Sequence, residues 1–292
     1  MTAAQCDGEF APAKVNLYLH VLGRRDDGYH ELDSLVAFAD VGDKVSVASD
    51  DSLSLQVDGA LADGLDAGDN NLVLAAARKL RQVTGCSAGA ALHLAKGLPV
   101  AAGLGGGSAD AGATLRLLCR FWNVRPDRPA LSAIARELGA DVPVCFTGRP
   151  ARMEGIGERL RTLSAFPSVP IVLVNPGVPL STADVFRATT GRSGTAAWSG
   201  EGFASVEALC DALRGCRNDL EPAARSLVPA IADVLDALQG SAGCRLSRMS
   251  GSGASCFGLF ATEDAARNAA RSIGSRQAGW WVSAGMLKGH TE

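Results

Sequence analysis

The chain has 292 residues, 47% hydrophobic and 20% charged, with a formal net charge of −3, which excludes wholesale disorder and a broad basic surface for sequence-blind nucleic-acid binding. No apolar run approaches the ~18–20 residues of a membrane span, and residues 1–10 hold no Lys, no Arg and no apolar stretch, so a cytoplasmic protein without membrane anchor or secretory signal is expected. Gly accounts for 34 residues without a G-X-Y period, which excludes collagen and makes the positions of the glycines the question.

Residues 14–21 read as the first strand: Val15, Leu17, Leu19 and Val21 alternate with Lys14, Asn16, Tyr18 and His20. A period of two points the first set at the core and puts Lys14 and Asn16 together on the other face, where they can line a polar cleft. Val45/Val47 and Leu53/Leu55/Val57 alternate in the same way, and the Gly- and Asp-rich tract 58–69 reads as loop. Asn70 or Asn71 then caps a helix with Leu72, Ala76, Leu80 and Val83 on one stripe, ended by Gly85. Residues 90–95 form a strand that leads into a glycine-rich segment and a helix striped by Ala111, Leu115, Leu118 and Trp122. A further helix over 130–138 stops at Gly139; Asp141 follows, and Pro143 is expected to hold Val142 extended.

Gly155 and Gly157 read as a β-turn, and the tract 164–170 as a linker dividing the chain into residues 1–165 and 166–292. Beyond it come a buried strand at 171–174 and a Gly/Ser/Ala-rich loop over 189–202. Helices near 206–213 and 231–238, a strand at 254–260, a helix near 263–272 and a strand near 280–284 follow. The eight cysteines include no C-x-x-C pair and read as reduced, buried thiols, and the four histidines form no H-x-x-x-H pair. The residues assign no metal ligands and no oligomeric state.

The sharpest chemical signal is the run Pro99, Val100, Ala101, Ala102, Gly103, Leu104, Gly105, Gly106, Gly107, Ser108, Ala109. Consecutive glycines expose backbone N–H groups and let a bulky anion approach. The helix that follows adds its orphan donors and the positive end of its dipole, so a phosphate site is expected. Ser108 reads as the N-cap. Asp110 would repel a polyphosphate and must point aside or act through a cation. No G-x-x-x-x-G-K-[ST], strict G-x-G-x-x-G, His-Arg-Asp or Asp-Phe-Gly is present, so the segment is not a P-loop, a dinucleotide fingerprint or a protein kinase. A second cluster, 249–255, is a hairpin turn or a second wall beside the phosphates.

Three stretches now carry a resemblance. They are 11–17 with 24–32 (Arg24-Arg25-Asp26-Asp27-Gly28-Tyr29-His30-Glu31-Leu32), the glycine segment 99–109, and Met249-Ser250-Gly251-Ser252-Gly253-Ala254. Gly139–Pro143, Asn175-Pro176-Gly177 and Asn218-Asp219-Leu220-Glu221 support it. The chain resembles the GHMP kinase superfamily over nearly its whole length. The resemblance implies an α+β, two-domain fold: an N-terminal ATP-binding domain like the second domain of ribosomal protein S5 and a ferredoxin-like C-terminal domain.

It also implies ATP as donor, Mg2+ with it, and a small-molecule acceptor. The Asp-Gly-Tyr-His-Glu-Leu stretch resembles the branch that phosphorylates the 2-hydroxyl of cytidine-diphosphate-linked methylerythritol. On that resemblance Asp141 takes the catalytic aspartate's place, accepting the hydroxyl's proton. Lys14 takes the lysine's, holding that aspartate ionised and stabilising the transferring phosphoryl group. Tyr29 and His30 fall where the cytidine is recognised, Asn16, Thr182 and Phe186 line the substrate pocket, and Lys96 and Asn71 lie near the nucleotide. Two departures stand out. Gly106 and Gly107 replace the consecutive serines that many relatives carry after Gly-Leu-Gly, one of them a magnesium ligand, and Val36 replaces an aromatic. Another metabolite kinase of the superfamily, an RNA-binding S5-like protein and a dinucleotide oxidoreductase are the competing readings. Tyr29 with His30, the acidic balance, and the broken fingerprint argue against them in turn.

Overall fold

The computed structural model of the chain describes residues 7–26, 28–189, 198 and 200–291. Contacts group the described residues into two units. Of these residues, the first draws on those within 7–13, 42–100 and 105–148, the second on those within 14–41, 101–104 and 149–291. Two long strands, β1 (Asp7–Arg24) and β2 (His30–Ala48), contribute to both.

In the first unit, β3 (Leu53–Asp58) pairs in parallel with β4 (Ala90–Ala95), and the end of β2 pairs antiparallel with β4, Lys44 opposite Ala95. Helix α1 (Leu72–Thr84) is capped by Asn71, whose side chain accepts from the Val73 N–H, and ends at Gly85 with φ 67°. Its buried face follows Val73, Ala76, Ala77 and Leu80. Ala76 and Leu80 are buried as expected, Leu72 is half-buried, and Val83 is exposed near the end of the helix. Helices α2 (Gly106–Phe121), α3 (Arg128–Leu138) and α4 (Val142–Thr147) complete the unit. Trp122, expected on the buried stripe of α2, is that helix's C-cap. Val142 is helical, not extended: Pro143 sits in the first turn of α4, where its missing N–H would have had no intrahelical partner.

In the second unit, the start of β2 pairs antiparallel with β5 (Ala151–Gly155), which turns back into β6 (Arg159–Thr162). The Gly157 N–H donates to the Glu154 carbonyl at 3.2 Å, closing the expected β-turn. After β7 (Ala165–Phe166) come β8 (Val169–Asn175), α5 (Thr182–Ala188), α6 (Val206–Arg214), α7 (Glu221–Leu227) and α8 (Ala230–Gln239). The remaining elements are β9 (Cys244–Met249), β10 (Cys256–Phe260), α9 (Glu263–Arg276), β11 (Trp281–Leu287) and β12 (His290–Thr291). Strands β8, β9, β10 and β11 with α8 and α9 run β-α-β-β-α-β, and the sheet order β11-β8-β10-β9 is antiparallel at every step. That is the ferredoxin-like arrangement expected for this part of the chain. Its core joins Val172 and Val174 of β8, Ile231, Val234 and Leu238 of α8, Phe260 of β10 and Ile273 of α9.

The loop expected over 189–202 lies largely outside the described residues. Cys145, Cys210, Cys216 and Cys256 are buried, and burial pushes the Cys256 thiol well up, as suits small hydrophobes. Among the described residues no helix is long and apolar enough to cross a membrane.

Candidate active site

The glycine segment is built from the end of β4 and the start of α2. Helix α2 begins at Gly106, earlier than expected: Gly105, not Ser108, is its N-cap, in the left-handed conformation with φ 63°. Glycine reaches that conformation without a Cβ penalty. No side chain caps the helix, so the first-turn N–H groups, those of Gly106, Gly107 and Ser108 among them, lie at the positive end of a helix dipole.

Lys96, just before the segment, points inward. Its ammonium pairs with Asp43 and with Asp110 Oδ2, the latter at 2.9 Å, and all three residues are buried. Asp43 Oδ1 also accepts the N–H groups of Gly97 and Leu98 at 2.7 and 2.9 Å, so one carboxylate ties Lys96 and the backbone of the segment together. Asp110 thus points aside, toward Lys96. Burial pushes its carboxyl up to about 8; Lys96 opposes the shift and Asp43 adds to it. Pro99 is half-buried and Val100 is exposed. Asn71 spends its side chain on the α1 cap and on the Asp66 carbonyl. Asp141 is half-buried at the N-cap position of α4, with no side-chain cap hydrogen bond.

The second unit holds the other expected residues. The polar face of β1 is as buried as the apolar one: Lys14, Asn16, Tyr18 and His20 are each at most 4% exposed. Tyr18 donates to Asp33 Oδ1 at 3.2 Å, and Arg152 Nε donates to the same oxygen at 2.7 Å. Burial, with Asp33 beside it, drives the Tyr18 hydroxyl far above its ordinary range. The Lys14 N–H donates to the Leu104 carbonyl at 2.9 Å, fixing the strand to the 101–104 stretch. That stretch is locked in turn: the Ser255 N–H donates to the Ala102 carbonyl, and Ser250 Oγ to the Gly103 carbonyl, at 3.1 and 2.9 Å. A Cβ on Gly103, whose φ is +74°, would stand 2.5 Å from the Ser250 carbonyl oxygen, so only glycine fits. The 249–255 cluster forms the β9–β10 connection, as the hairpin-turn reading expects, and it packs against Gly103.

His30 and Phe186 meet, ring centroids 4.9 Å apart at 31°. Thr182 Oγ1 hydrogen-bonds Ser252 Oγ at 2.8 Å, tying the start of α5 to the same connection. Tyr29 is 61% exposed. Val36 is fully buried against β5.

Comparison with known proteins follows the same division. The profile of the GHMP kinases N-terminal domain matches residues 71–149, spanning the glycine segment, and that of the GHMP kinases C-terminal domain matches residues 204–278. The chain is 50% identical over 277 residues to a 4-diphosphocytidyl-2-C-methyl-D-erythritol kinase of Paramagnetospirillum magneticum, covering 95% of this chain and 97% of that one.

The chain belongs to the GHMP kinase family.

It is also 51% identical over 282 residues to the kinase of that name from Cereibacter sphaeroides, covering 96% of this chain and 99% of the other. A crystal structure of 4-(cytidine 5'-diphospho)-2C-methyl-D-erythritol kinase superposes with a TM-score of 0.78 at 38% identity, over 97% of this chain and all of that one. As a GHMP kinase the protein is an ATP-dependent phosphotransferase.

Several residues that frame the site of this GHMP kinase are not found by sequence reasoning. Asn218 Nδ2 donates to the carbonyls of Met249 and Gly251, and Arg248 donates to those of Leu17, Leu213 and Cys216. Burial lowers the Arg248 guanidinium from its ordinary value. Asn175 Nδ2 donates to Ser255 Oγ at 2.9 Å. The Asn175-Pro176-Gly177 and Asn218-Asp219-Leu220-Glu221 matches hint at two of them, and nothing in the sequence at Arg248. Among the described residues no cluster of three His, Cys, Asp or Glu could hold a metal ion, and Asp110 is taken by Lys96. The described residues offer no cage of their own for Mg2+.

Proposed function

We propose that this GHMP kinase transfers the γ-phosphate of ATP to the 2-hydroxyl of 4-diphosphocytidyl-2-C-methyl-D-erythritol, giving the 2-phosphate and ADP in non-mevalonate isoprenoid precursor synthesis. The observation that carries this reading is the His30–Phe186 ring pair. Two rings in contact offer an aromatic face for stacking and, in the imidazole, a polar edge, suited to a nucleobase and of no use to mevalonate or homoserine. The relatives at about 50% identity bear the matching substrate in their names.

The uncapped start of α2 with Gly105, Gly106, Gly107, Ser108 and Ala109, and the stretch Pro99 to Leu104, receive the ATP phosphates through backbone N–H groups. Mg2+ is expected to come with the nucleotide. Lys96 supports that segment from beneath. Asp141 accepts the proton of the 2-hydroxyl as its oxygen bonds to the γ-phosphorus and the bond to the β-phosphate oxygen breaks, releasing ADP. A tertiary alcohol is a weak acid, so the proton leaves with or after attack, which suits a loose transition state. Lys14 supplies positive charge to the transferring phosphoryl group. Asn16, Tyr29, His30, Thr182 and Phe186 hold the acceptor. An ATP-dependent step on a soluble metabolite accords with a cytoplasmic enzyme. His30→Ala tests the reading: KM for the cytidyl substrate should rise while KM for ATP holds, and an equal loss for both would contradict it.

A further inference from the structure

Asn16 has its backbone N–H and its side-chain Nδ2 engaged, and its side-chain Oδ1 not. Its backbone N–H donates to Ser250 Oγ at 3.1 Å, and its side-chain Nδ2 donates to Ser34 Oγ at 2.8 Å. Ser34 Oγ in turn donates to the Tyr18 carbonyl at 2.6 Å. A hydroxyl carries one hydrogen, so Ser34 can only accept from Asn16. The hydrogen-bond network therefore decides the amide's orientation, with Nδ2 toward Ser34 and Oδ1 away.

Oδ1 is buried and, among the described residues, meets no hydrogen-bond donor. It faces the β9–β10 connection: a Cβ built on Gly251 would lie 3.4 Å from it and 2.9 Å from the Gly103 carbonyl oxygen. Glycine at 251 keeps any side chain out of that space. A buried acceptor without a donor is destabilising, so a ligand that brings one is favoured. An amide held the other way round would instead demand an acceptor.

The acceptor of the proposed reaction is the natural donor, and the inference rests on that function. A four-carbon polyol carrying cytidine diphosphate on carbon 4 keeps hydroxyls on carbons 1, 2 and 3. The carbon-2 hydroxyl gives its proton to Asp141, leaving those on carbons 1 and 3 as donors. We propose that Ser34 is a positioning residue: it fixes the Asn16 amide so that Oδ1 accepts the hydrogen of a hydroxyl next to the one phosphorylated, which selects carbon 2 for transfer.

The test uses the full chain and two substrate analogues, lacking the hydroxyl on carbon 1 or on carbon 3. Wild-type turnover of the parent substrate is measured first; its absence sinks the functional reading rather than this proposal. By isothermal titration calorimetry, one analogue should bind the wild type about tenfold or more weakly than the substrate does. Ser34→Ala should weaken substrate binding by a similar factor, leave KM for ATP unchanged and discriminate no further against that analogue. Ser34→Thr, which keeps the hydroxyl, should restore binding. Where Ser34→Ala fails to fold, Asn16→Ala must show the same insensitivity. Wild-type indifference to both analogues, or undiminished discrimination in the variants, overturns the proposal.

Discussion

The imidazole of His30, at the start of β2, lies 4.9 Å from the ring of Phe186 in α5. The family resemblance implies an acceptor-site role for both, and the fold brings them into contact. Stacking of a base on an aromatic side chain is worth about 1–3 kcal/mol. Phe186→Ala should therefore raise KM for the cytidyl substrate about 5- to 150-fold, with KM for ATP unchanged. Steady-state kinetics in both substrates check this.

The buried trio of Lys96, Asp43 and Asp110 gives a pH signature. Asp110 is pushed up to about 8 in the native state, against about 3.9 in an unfolded chain. Between those values the native protein holds a proton that the unfolded chain has lost. Its contribution to stability is fully present at low pH, declines as pH rises through that window and levels off above about 8. Lys96 is raised by its two carboxylates against the pull of burial, so its contribution persists until well into the alkaline range. Asp110→Asn should flatten the slope of urea stability between about pH 5 and 8. An unchanged slope would place the ionisation elsewhere.

Two glycine substitutions separate conformation from contact. Gly85 and Gly103 both have positive φ, 67° and 74°, yet a Cβ meets nothing within 4 Å at Gly85 and two carbonyl oxygens at Gly103, those of Ser250 and Gly253. Gly85→Ala should cost about 1–2 kcal/mol in chemical denaturation and leave KM for ATP intact. Gly103→Ala should cost more and raise KM for ATP, because the 101–104 stretch must move.

Much of this is legible in the sequence. Asn71 and Gly85 bracket α1, residues 90–95 form β4, and the glycine segment precedes a helix, because caps, turns and periodicity are local signals. The hidden parts depend on distant partners. A period of two cannot say that the polar face of β1 is buried, since Tyr18 is satisfied by Asp33, which Arg152 pairs in turn, both from elsewhere in the chain. Arg248 and Asn218 bond to backbone carbonyls, which have no residue-type signature. Ser108 misleads because a serine before a helix usually caps it, whereas here Gly105 starts the turn itself. Lys96 reads as a nucleotide neighbour; its ammonium goes to Asp43 and Asp110.

Asp141→Asn removes the proposed proton acceptor and keeps the size of the side chain. Loss of a general base costs about 10²–10⁴ in kcat. ATP affinity by calorimetry should stay within about twofold if the α2 N–H groups carry the phosphate contacts. Near-wild-type kcat would remove Asp141 from the mechanism.

The most direct measurement is ADP release by the full chain with ATP and, in separate reactions, 4-diphosphocytidyl-2-C-methyl-D-erythritol, mevalonate and homoserine. The account predicts turnover with the first alone. No release with it, or equal release with mevalonate or homoserine, would contradict the account.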